Sequence, residues 1–266
     1  MKKSLLGLGC AGALAASAGC SMMHDAVSGS VGSTLNTAGN VASQRVGTAI
    51  GEGISAKILA GYQPGLMNMY TSYLFSVAFS SGGYAVEQED YKEGDYTRWS
   101  MPGDSNSNNW IERAYIGKDG KGQQWWKVKF HNGKENETTV LEALFNTERT
   151  KMLRLRGKFP KEEAKEIPVT DQTYYVPPTK LTAESIEGAT KGTESVTVPA
   201  GTFSAKHVVY SYGNGTQEWW LAEGVPGGLV QQTLKAPPDN KDKGEYKIKL
   251  EKYGSDAKDE LDAVKS

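Results

Sequence analysis

The chain has 266 residues, enough for one large β-rich domain or for two small ones. Its 30 Lys and Arg residues are balanced by 31 Asp and Glu residues, which gives a formal charge of -1 at pH 7. A chain with this balance has no net positive field that would attract nucleic acid. We therefore expect no nucleic-acid partner.

The first 19 residues have the order of a secretory signal peptide. A basic start at Lys2 and Lys3 is followed by a short apolar run and by small residues in front of Cys20. The apolar run is too short to span a bilayer, which takes about 20 residues. The residues before Cys20 resemble the lipobox of bacterial lipoproteins, although Ser17 stands where Leu is usual. The alternative is a plain secreted protein with a free Cys20.

The lipobox resemblance implies a lipid anchor. Cleavage would leave an acylated Cys20 as the only cysteine of the mature chain, so no internal disulfide could form. The loss of Lys2 and Lys3 would make the chain two charge units more negative. By resemblance to Gram-negative lipoproteins, Ser21 after the cysteine implies an outer-membrane location, on the periplasmic side or at the cell surface.

Residues 20–61 are rich in Gly, Ala, Ser, Thr and Asn. From Val27 to Ile58, apolar residues recur three or four positions apart, as on one face of a helix. Each Gly weakens a helix by up to about 1 kcal/mol relative to Ala. Two interpretations stay open: a flexible tether, or an amphipathic helix held by packing, for which Gly47–Gly51 has the spacing that lets helices approach closely.

A stronger helical pattern begins after Pro64 and runs to Ala78. Phe75 and Phe79 add apolar bulk outside the main stripe, so the helix is apolar most of the way round. Such a helix is buried or membrane-associated. We expect it to pack into or across a β-sheet.

From Tyr84 onward the pattern is one of short strands separated by Gly, Asn and Pro turns. Trp126, Val128 and Phe130 alternate with charged residues, which predicts a sheet with one buried and one solvated face. The strands predicted in this half are 85–90, 95–101, 110–117, 123–131, 137–146 and 151–156. The charged, Pro-containing segment 158–178 is predicted to be a crossover between two halves of one sheet.

Residues 193–235 continue as an antiparallel meander, and a last strand is predicted at 245–253. Residues 255–266 form a charged tail that we expect to be solvated. The predicted fold is mainly β, of the α+β class. Residues 62–254 would form a curved antiparallel sheet or open half-barrel with one or two N-terminal helices.

The chain has no recognisable catalytic constellation. A G-x-G-x-x-G match at Gly7–Gly12 lies inside the signal peptide and carries no dinucleotide site. His24, His131 and His207 are far apart and lack metal-ligand spacing. We therefore expect a protein that is not an enzyme and holds no metal or cofactor.

Two Trp-Trp pairs give the candidate ligand-binding residues. Neighbouring residues on a strand point to opposite faces, so each pair places one indole on the buried face. Such residues line a ligand site if the sheet encloses a cavity, and are ordinary core residues if it does not. The five candidates are Trp126, which is in step with Val128 and Phe130, and Trp219, which is in step with Leu221.

Several segments resemble a poorly characterised family of bacterial envelope lipoproteins. Its C-terminal half is matched by Val196–Phe203 (V-T-V-P-A-G-T-F), Trp219–Trp220 and Val225–Val230 (V-P-G-G-L-V), and its opening strands by Tyr91–Trp99 and Trp110–Glu112. By architecture this family is similar to the lipoprotein-carrier half-barrels of the LolA and LolB type. In those proteins a curved antiparallel sheet wraps a helix and an apolar ligand.

Two functions are consistent with these observations. The first is an outer-membrane-anchored lipoprotein, not an enzyme, that binds a lipid or other amphipathic envelope component in a half-barrel. The second is a structural or adaptor lipoprotein with a solid barrel. Its Gly-rich helix and sheet surface would contact an envelope protein partner. A cavity in the barrel distinguishes the two.

Overall fold

The structure, a computed structural model, describes residues 74–75, 78–79, 84–85, 90–101, 108–133, 136–169, 179–180, 182–212, 215–235 and 245–263. The predicted signal peptide (1–19), the predicted lipidation site Cys20 and the Gly-rich segment (20–61) lie outside the described residues. Most of the helix predicted between Pro64 and Ala78 and the second part of the predicted crossover lie outside them too.

Two short elements flank the first half of the main sheet: β1 (Tyr84–Ala85) pairs in parallel with β8 (Thr179–Lys180). Between them lie six antiparallel strands, each paired with the next along the chain. These strands are β2 (Tyr96–Ser100), β3 (Trp110–Lys118), β4 (Gln124–Asn132), β5 (Glu137–Phe145), β6 (Met152–Lys158) and β7 (Lys165–Ile167).

A short helix, α1 (Ala183–Ala189), precedes the second half of the sheet. Five strands follow, again each paired antiparallel with its neighbour in sequence. They are β9 (Thr190–Val198), β10 (Gly201–Tyr212), β11 (Gly215–Leu221), β12 (Leu229–Lys235) and β13 (Glu245–Gly254).

The two meanders are joined by antiparallel pairing of β2 with β13, in which Trp99 lies opposite Leu250. The result is a single sheet of eleven strands in the order β7-β6-β5-β4-β3-β2-β13-β12-β11-β10-β9. Its outer strands, β7 and β9, are not paired with each other, so the sheet is not closed. The prediction of a mainly β, antiparallel fold is confirmed.

The turn between β9 and β10 also contacts β13, although β10, β11 and β12 separate β9 from β13 in the sheet. The amide of Ala200 donates a hydrogen bond to the carbonyl oxygen of Leu250 at 3.2 Å. Nearby, the rings of Phe203 and Tyr253 have centroids 6.1 Å apart. In the second half of the sheet, the turn between β9 and β10 therefore lies against β13.

Ala85 of the predicted strand 85–90 lies in β1, and residues 86–89 lie outside the described residues. Two elements differ from the predictions. Part of the predicted crossover forms edge strand β7, paired with β6. Helix α1 was not predicted. It begins where the Thr182 side chain accepts a hydrogen bond from the amide of Ser185, which is a standard N-cap.

The core includes part of the predicted N-terminal helix. Leu74, Phe75, Ala78 and Phe79 are helical and almost completely buried. The rings of Phe75 and Phe79 meet that of Phe145 on β5, with centroids 5.7 and 5.8 Å away. These four residues have the conformation and burial expected of them. No helix among the described residues is long and apolar enough to cross a membrane.

The charged tail makes contacts with the sheet that the sequence did not predict. The amide of Ala257 donates a hydrogen bond to the carbonyl oxygen of Gly94 at 2.9 Å, and Leu261 is only 3% exposed. The described part of the tail lies on the polar face of the first half of the sheet, where acidic residues of the tail meet cations of β4 and β6. Most of the described tail residues are exposed, as predicted, but the segment is held on the sheet by these contacts, which were not predicted.

Candidate functional site

Trp126 on β4 lies in a cluster of aromatic rings on the buried face of the sheet. Its indole makes edge contacts with Phe79 and Tyr91, at centroid distances of 5.1 and 5.3 Å, and a tilted contact with Tyr115 at 5.0 Å. Its Nε1 donates a hydrogen bond to Gln124 Oε1 at 3.1 Å. The indole is 3% exposed, so the space around it is filled by protein.

Val128 and Phe130 continue the same face of β4, as their two-residue spacing predicts. Val128 pairs with Leu141 on β5, and Phe130 pairs with Ile111 on β3. Both candidates are buried in the same hydrophobic core as Trp126.

Trp219 and Leu221 on β11 belong to that core as well. Trp219 pairs with Val208 on β10 and with Gln232 on β12, and its ring lies 5.0 Å from that of Tyr210. A register shift between Trp220 and Leu221 interrupts the regular alternation of β11. The five candidates are thus placed in one core but in two regions, because β3, β2, β13 and β12 separate β4 from β11.

In each Trp-Trp pair, the indole that is not a ligand-binding candidate contacts polar residues. Trp125 is half-buried, and the guanidinium carbon of Arg156 lies 4.0 Å from its ring centre. Trp220 stacks on His207 at 4.6 Å, and its Nε1 donates a hydrogen bond to Glu194. The structure therefore separates each pair as the alternation rule requires, while the ligand-binding role of the five candidates stays a prediction.

Sequence reasoning missed Arg113 on β3, which is 3% exposed. Its Nη2 and Nε donate to the hydroxyl of Tyr91 at 2.9 and 3.1 Å. Its Nη1 lies 3.3 and 3.4 Å from the carbonyl oxygens of Ala78 and Phe79. A cation beside carbonyl oxygens is favourable because these oxygens carry partial negative charge. Arg113 thus holds the helical residues against the sheet.

A second guanidinium, that of Arg149, lies near the same aromatic cluster. Its central carbon is 4.8 Å from the ring centre of Trp126 and 5.0 Å from that of Phe79. Such cation–π contacts contribute about 0.5–2 kcal/mol each. The turn that carries Arg149 is fixed by Asn146, whose side-chain oxygen accepts from the amides of Thr150 and Lys151. The cluster is therefore bordered by positive charge.

The opposite face of the sheet carries charge in alternating rows. Lys127, Glu142 and Arg156 are cross-strand neighbours on β4, β5 and β6. All three are at most 4% exposed. Opposite charges in such neighbouring positions stabilise a sheet, by about 0.2–1 kcal/mol for each pair. Buried charges of this kind must keep their partners, since loss of one leaves the other uncompensated.

A pocket of about 360 Å³ opens on this polar face, between the sheet and the C-terminal residues Glu260 and Leu261. Trp110 lines it and stacks on His131 at 5.0 Å and on the guanidinium of Arg98 at 3.9 Å. None of the five predicted ligand-binding residues lines this pocket. The other residues that line it are Lys129, Thr138, Val140 and Lys158.

The described histidines are held by the sheet itself. His131 Nδ1 lies 2.9 Å from the hydroxyl of Thr138. Burial lowers the pKa of His131, and the nearby Arg98 lowers it further. His207 Nε2 lies 3.2 Å from a carboxylate oxygen of Glu218. Among the described residues, no group of three or more His, Cys, Asp and Glu side chains is placed to hold a metal ion.

No protein-family model matches the chain, and a search of curated proteins finds no match. The resemblance to bacterial envelope lipoproteins therefore stays a prediction. The function therefore has to be inferred from the residues themselves. In the described region, one face of the sheet packs an aromatic core and a helical segment. The other face is charged and is covered by the C-terminal tail.

Proposed function

We propose that this chain is an envelope lipoprotein, not an enzyme, that binds the apolar part of a lipid or other amphipathic envelope component. Acyl groups on Cys20 would anchor it to the outer membrane, at the periplasmic side or the cell surface. The ligand would lie between the sheet and the N-terminal helical segment. The observation that carries this proposal is the aromatic cluster in which Phe79 of that segment meets Trp126 of the sheet at 5.1 Å.

We infer an open half-barrel as the shape that would hold the ligand. Support comes from the hydrogen bond of Ala200 to Leu250 and from the ring contact of Phe203 with Tyr253. Strands β9 and β13 can meet in this way only if the strands between them bend. Antiparallel sheets bend readily because each strand is twisted. The register shifts in β10 and β11 are of the kind that increases such bending.

An apolar ligand needs only an apolar surface. Each buried CH₂ group of an acyl chain contributes about 0.8 kcal/mol, so a chain of ordinary length is bound without catalytic groups. Trp126, Val128 and Phe130 would line the bound chain in the first half of the sheet, and Trp219 and Leu221 in the second. The aromatic side chains of the helical segment would shift to admit the ligand.

Quenching of tryptophan fluorescence by a brominated fatty acid tests this proposal. Bromine quenches only indoles that it approaches closely. In the mature chain, Trp126→Phe should therefore lower the amount of fluorescence that is quenched, whereas Trp125→Phe should leave that amount unchanged. The two variants are matched because they remove neighbouring indoles from opposite faces of β4, and circular dichroism checks that both are folded.

Native mass spectrometry of the mature chain purified from cell envelopes gives a second measurement. A co-purifying lipid that is released by organic extraction would support the proposal. A protein that carries no lipid and whose fluorescence is not quenched by the brominated fatty acid would contradict it.

One observation favours the alternative, a structural or adaptor lipoprotein. All five candidate residues are at most 5% exposed and belong to one packed core. A solid core leaves the sheet surface and the Gly-rich segment to contact an envelope protein partner. Chemical cross-linking in intact cells should then capture such a partner through residues 20–61, and the lipid measurements should be negative.

A further inference from the structure

The C-terminal segment (residues 255–263) is attached to the polar face of the sheet at both ends. At its start, Ser255 Oγ donates a hydrogen bond to Asp95 Oδ1 at 2.6 Å, and the amide of Ala257 donates to the carbonyl oxygen of Gly94 at 2.9 Å. At its far end Leu261 is buried. The segment therefore crosses the first half of the sheet.

Two cations of the sheet hold the middle of the segment. Arg156 donates through Nη1 to the carbonyl oxygen of Leu261 and through Nη2 to Asp259 Oδ2, each at 2.9 Å. Lys127 Nζ binds Glu260 Oε1 at 2.7 Å and also the carbonyl oxygen of Lys258. Neither cation reaches solvent while the segment is in place, because both are almost completely buried.

Glu142 faces this segment from β5 and is 1% exposed. Its Oε1 accepts a hydrogen bond from the amide of Glu260 at 2.8 Å, and its Oε2 lies 3.1 Å from Arg156 Nη2. The same Nη2 atom also forms an ion pair with Asp259. Two carboxyl groups, one on the sheet and one on the segment, thus converge on one nitrogen. Like charges this close and this buried disfavour ionisation of both groups.

We propose that residues 255–263 form a proton-sensitive strap. The strap stays docked while Glu142 and Asp259 share a proton between them, and it loosens when that proton is lost. Its release uncovers Lys127 and Arg156, so loss of a proton turns a covered face of the sheet into an exposed cationic one.

The direction of the effect follows from Glu142. Burial, followed by the hydrogen bond to Asp259, raises the pKa of Glu142 from 4.5 to about 7. A carboxyl whose pKa is raised on docking favours the docked state below its free pKa, and this contribution is lost as the pH rises through the docked pKa. The strap therefore weakens between about pH 4.5 and pH 7.

The two acidic side chains of the strap that bind cations of the sheet, those of Asp259 and Glu260, have lowered pKa values. Burial alone would raise the pKa of Asp259, but hydrogen bonds with Glu142 and Arg156 hold it below its ordinary value. Glu260 is likewise partly buried, and Lys127 and Lys129 hold its pKa below the ordinary value.

His131 also lies on this face. Burial, followed by the nearby Arg98, lowers the pKa of His131. Its ring stacks on Trp110, and its Nδ1 contacts Thr138 rather than the strap, so its protonation does not act on the contacts that dock the strap.

Hydrogen exchange of the strap amides measures docking directly. A carboxyl with a pKa of about 7 when docked and 4.5 when free changes the docking equilibrium by about thirtyfold between pH 5.5 and pH 8. After correction for intrinsic exchange rates, protection of the Glu260 and Leu261 amides in the full chain should fall by about that factor. Glu142→Gln, which is neutral at every pH, should reduce the change to less than about threefold.

Glu112→Gln is the matched control. Glu112 is a buried carboxylate of the same face, but it pairs with Arg98 and Lys129 and not with the strap. This variant should keep the thirtyfold dependence. Protection that does not change with pH in the native chain, or an unreduced dependence in Glu142→Gln, would overturn the proposal. If circular dichroism shows Glu142→Gln to be unfolded, Asp259→Asn on the strap must give a smaller pH dependence than the native chain, and an equal one overturns the proposal.

Discussion

Replacing Arg113 by Met tests whether this side chain holds the helical segment on the sheet. Methionine is similar in length and flexible enough to fill the space that the arginine leaves. It cannot donate a hydrogen bond, so it leaves the hydroxyl of Tyr91 and the carbonyl oxygens of Ala78 and Phe79 without the guanidinium.

The expected loss of stability is about 2–3 kcal/mol. A hydrogen bond to a charged group contributes about 1.5–3 kcal/mol, and the bonds to Tyr91, at 2.9 and 3.1 Å, are the strong ones. The contacts with the two carbonyl oxygens are longer, at 3.3 and 3.4 Å, and add less. Tyr91 keeps its hydrogen bond to Thr97, and the sheet no longer has to bury a cation, which together offset part of the loss.

Urea denaturation of the native chain and of the variant gives the two free energies of unfolding. The control is Arg154→Met, because Arg154 is 36% exposed and forms a surface pair with Glu166 that contributes about 0–1 kcal/mol. A difference of less than about 0.5 kcal/mol between the two variants would refute the role assigned to Arg113. Faster hydrogen exchange at residues 74–79 in Arg113→Met would confirm that the helical segment is what the arginine holds.

Two further changes test the core and a turn. Phe79→Ala removes the ring that meets Trp126 and should lower the free energy of unfolding in urea by about 3–5 kcal/mol, whereas Phe203→Ala, at a half-buried ring, should cost less. A cost for Phe79→Ala no greater than that of Phe203→Ala would contradict the packing. Gly227→Ala should lower the melting temperature more than Gly224→Ala. Both glycines have φ near +76°, but only at Gly227 would a Cβ lie 2.8 Å from the Tyr91 ring. Equal melting temperatures would refute this close approach.

The strand pattern was the most predictable part of the fold. Alternation such as that of Trp126, Val128 and Phe130 is a local signal, and Gly, Asn and Pro turns mark where each strand ends. The predicted strand bounds therefore agree with β2 to β6 and with β13 within two residues at each end. The same alternation placed Trp126 and Trp219, rather than their neighbours, on the more buried side.

The parts that were missed depend on contacts between distant residues. Arg113 lies between a glutamate and an alanine on β3, and its partners at Ala78 and Phe79 are 35 and 34 positions away. The contacts of the charged tail with the sheet were missed because its composition is that of a solvated segment. Asp259 of the tail binds Arg156, which lies 103 positions away, so no local sequence pattern predicts the contact. Helix α1 is different, since Thr182 is a local N-cap signal that could have been recognised.

The pairing of β2 with β13 has a consequence for the order in which the chain folds. Along the chain, β2 is the first and β13 the last strand of the eleven-stranded sheet. Within the sheet they are neighbours, and their pairing is the seam between its two halves. The first meander can form before residues 245–254 have been synthesised, whereas the seam between the two halves cannot. Pairing over such a long separation is slow, because the closure of a large loop comes before any contact stabilises it. The eleven-stranded sheet is therefore completed late, when β13 reaches β2.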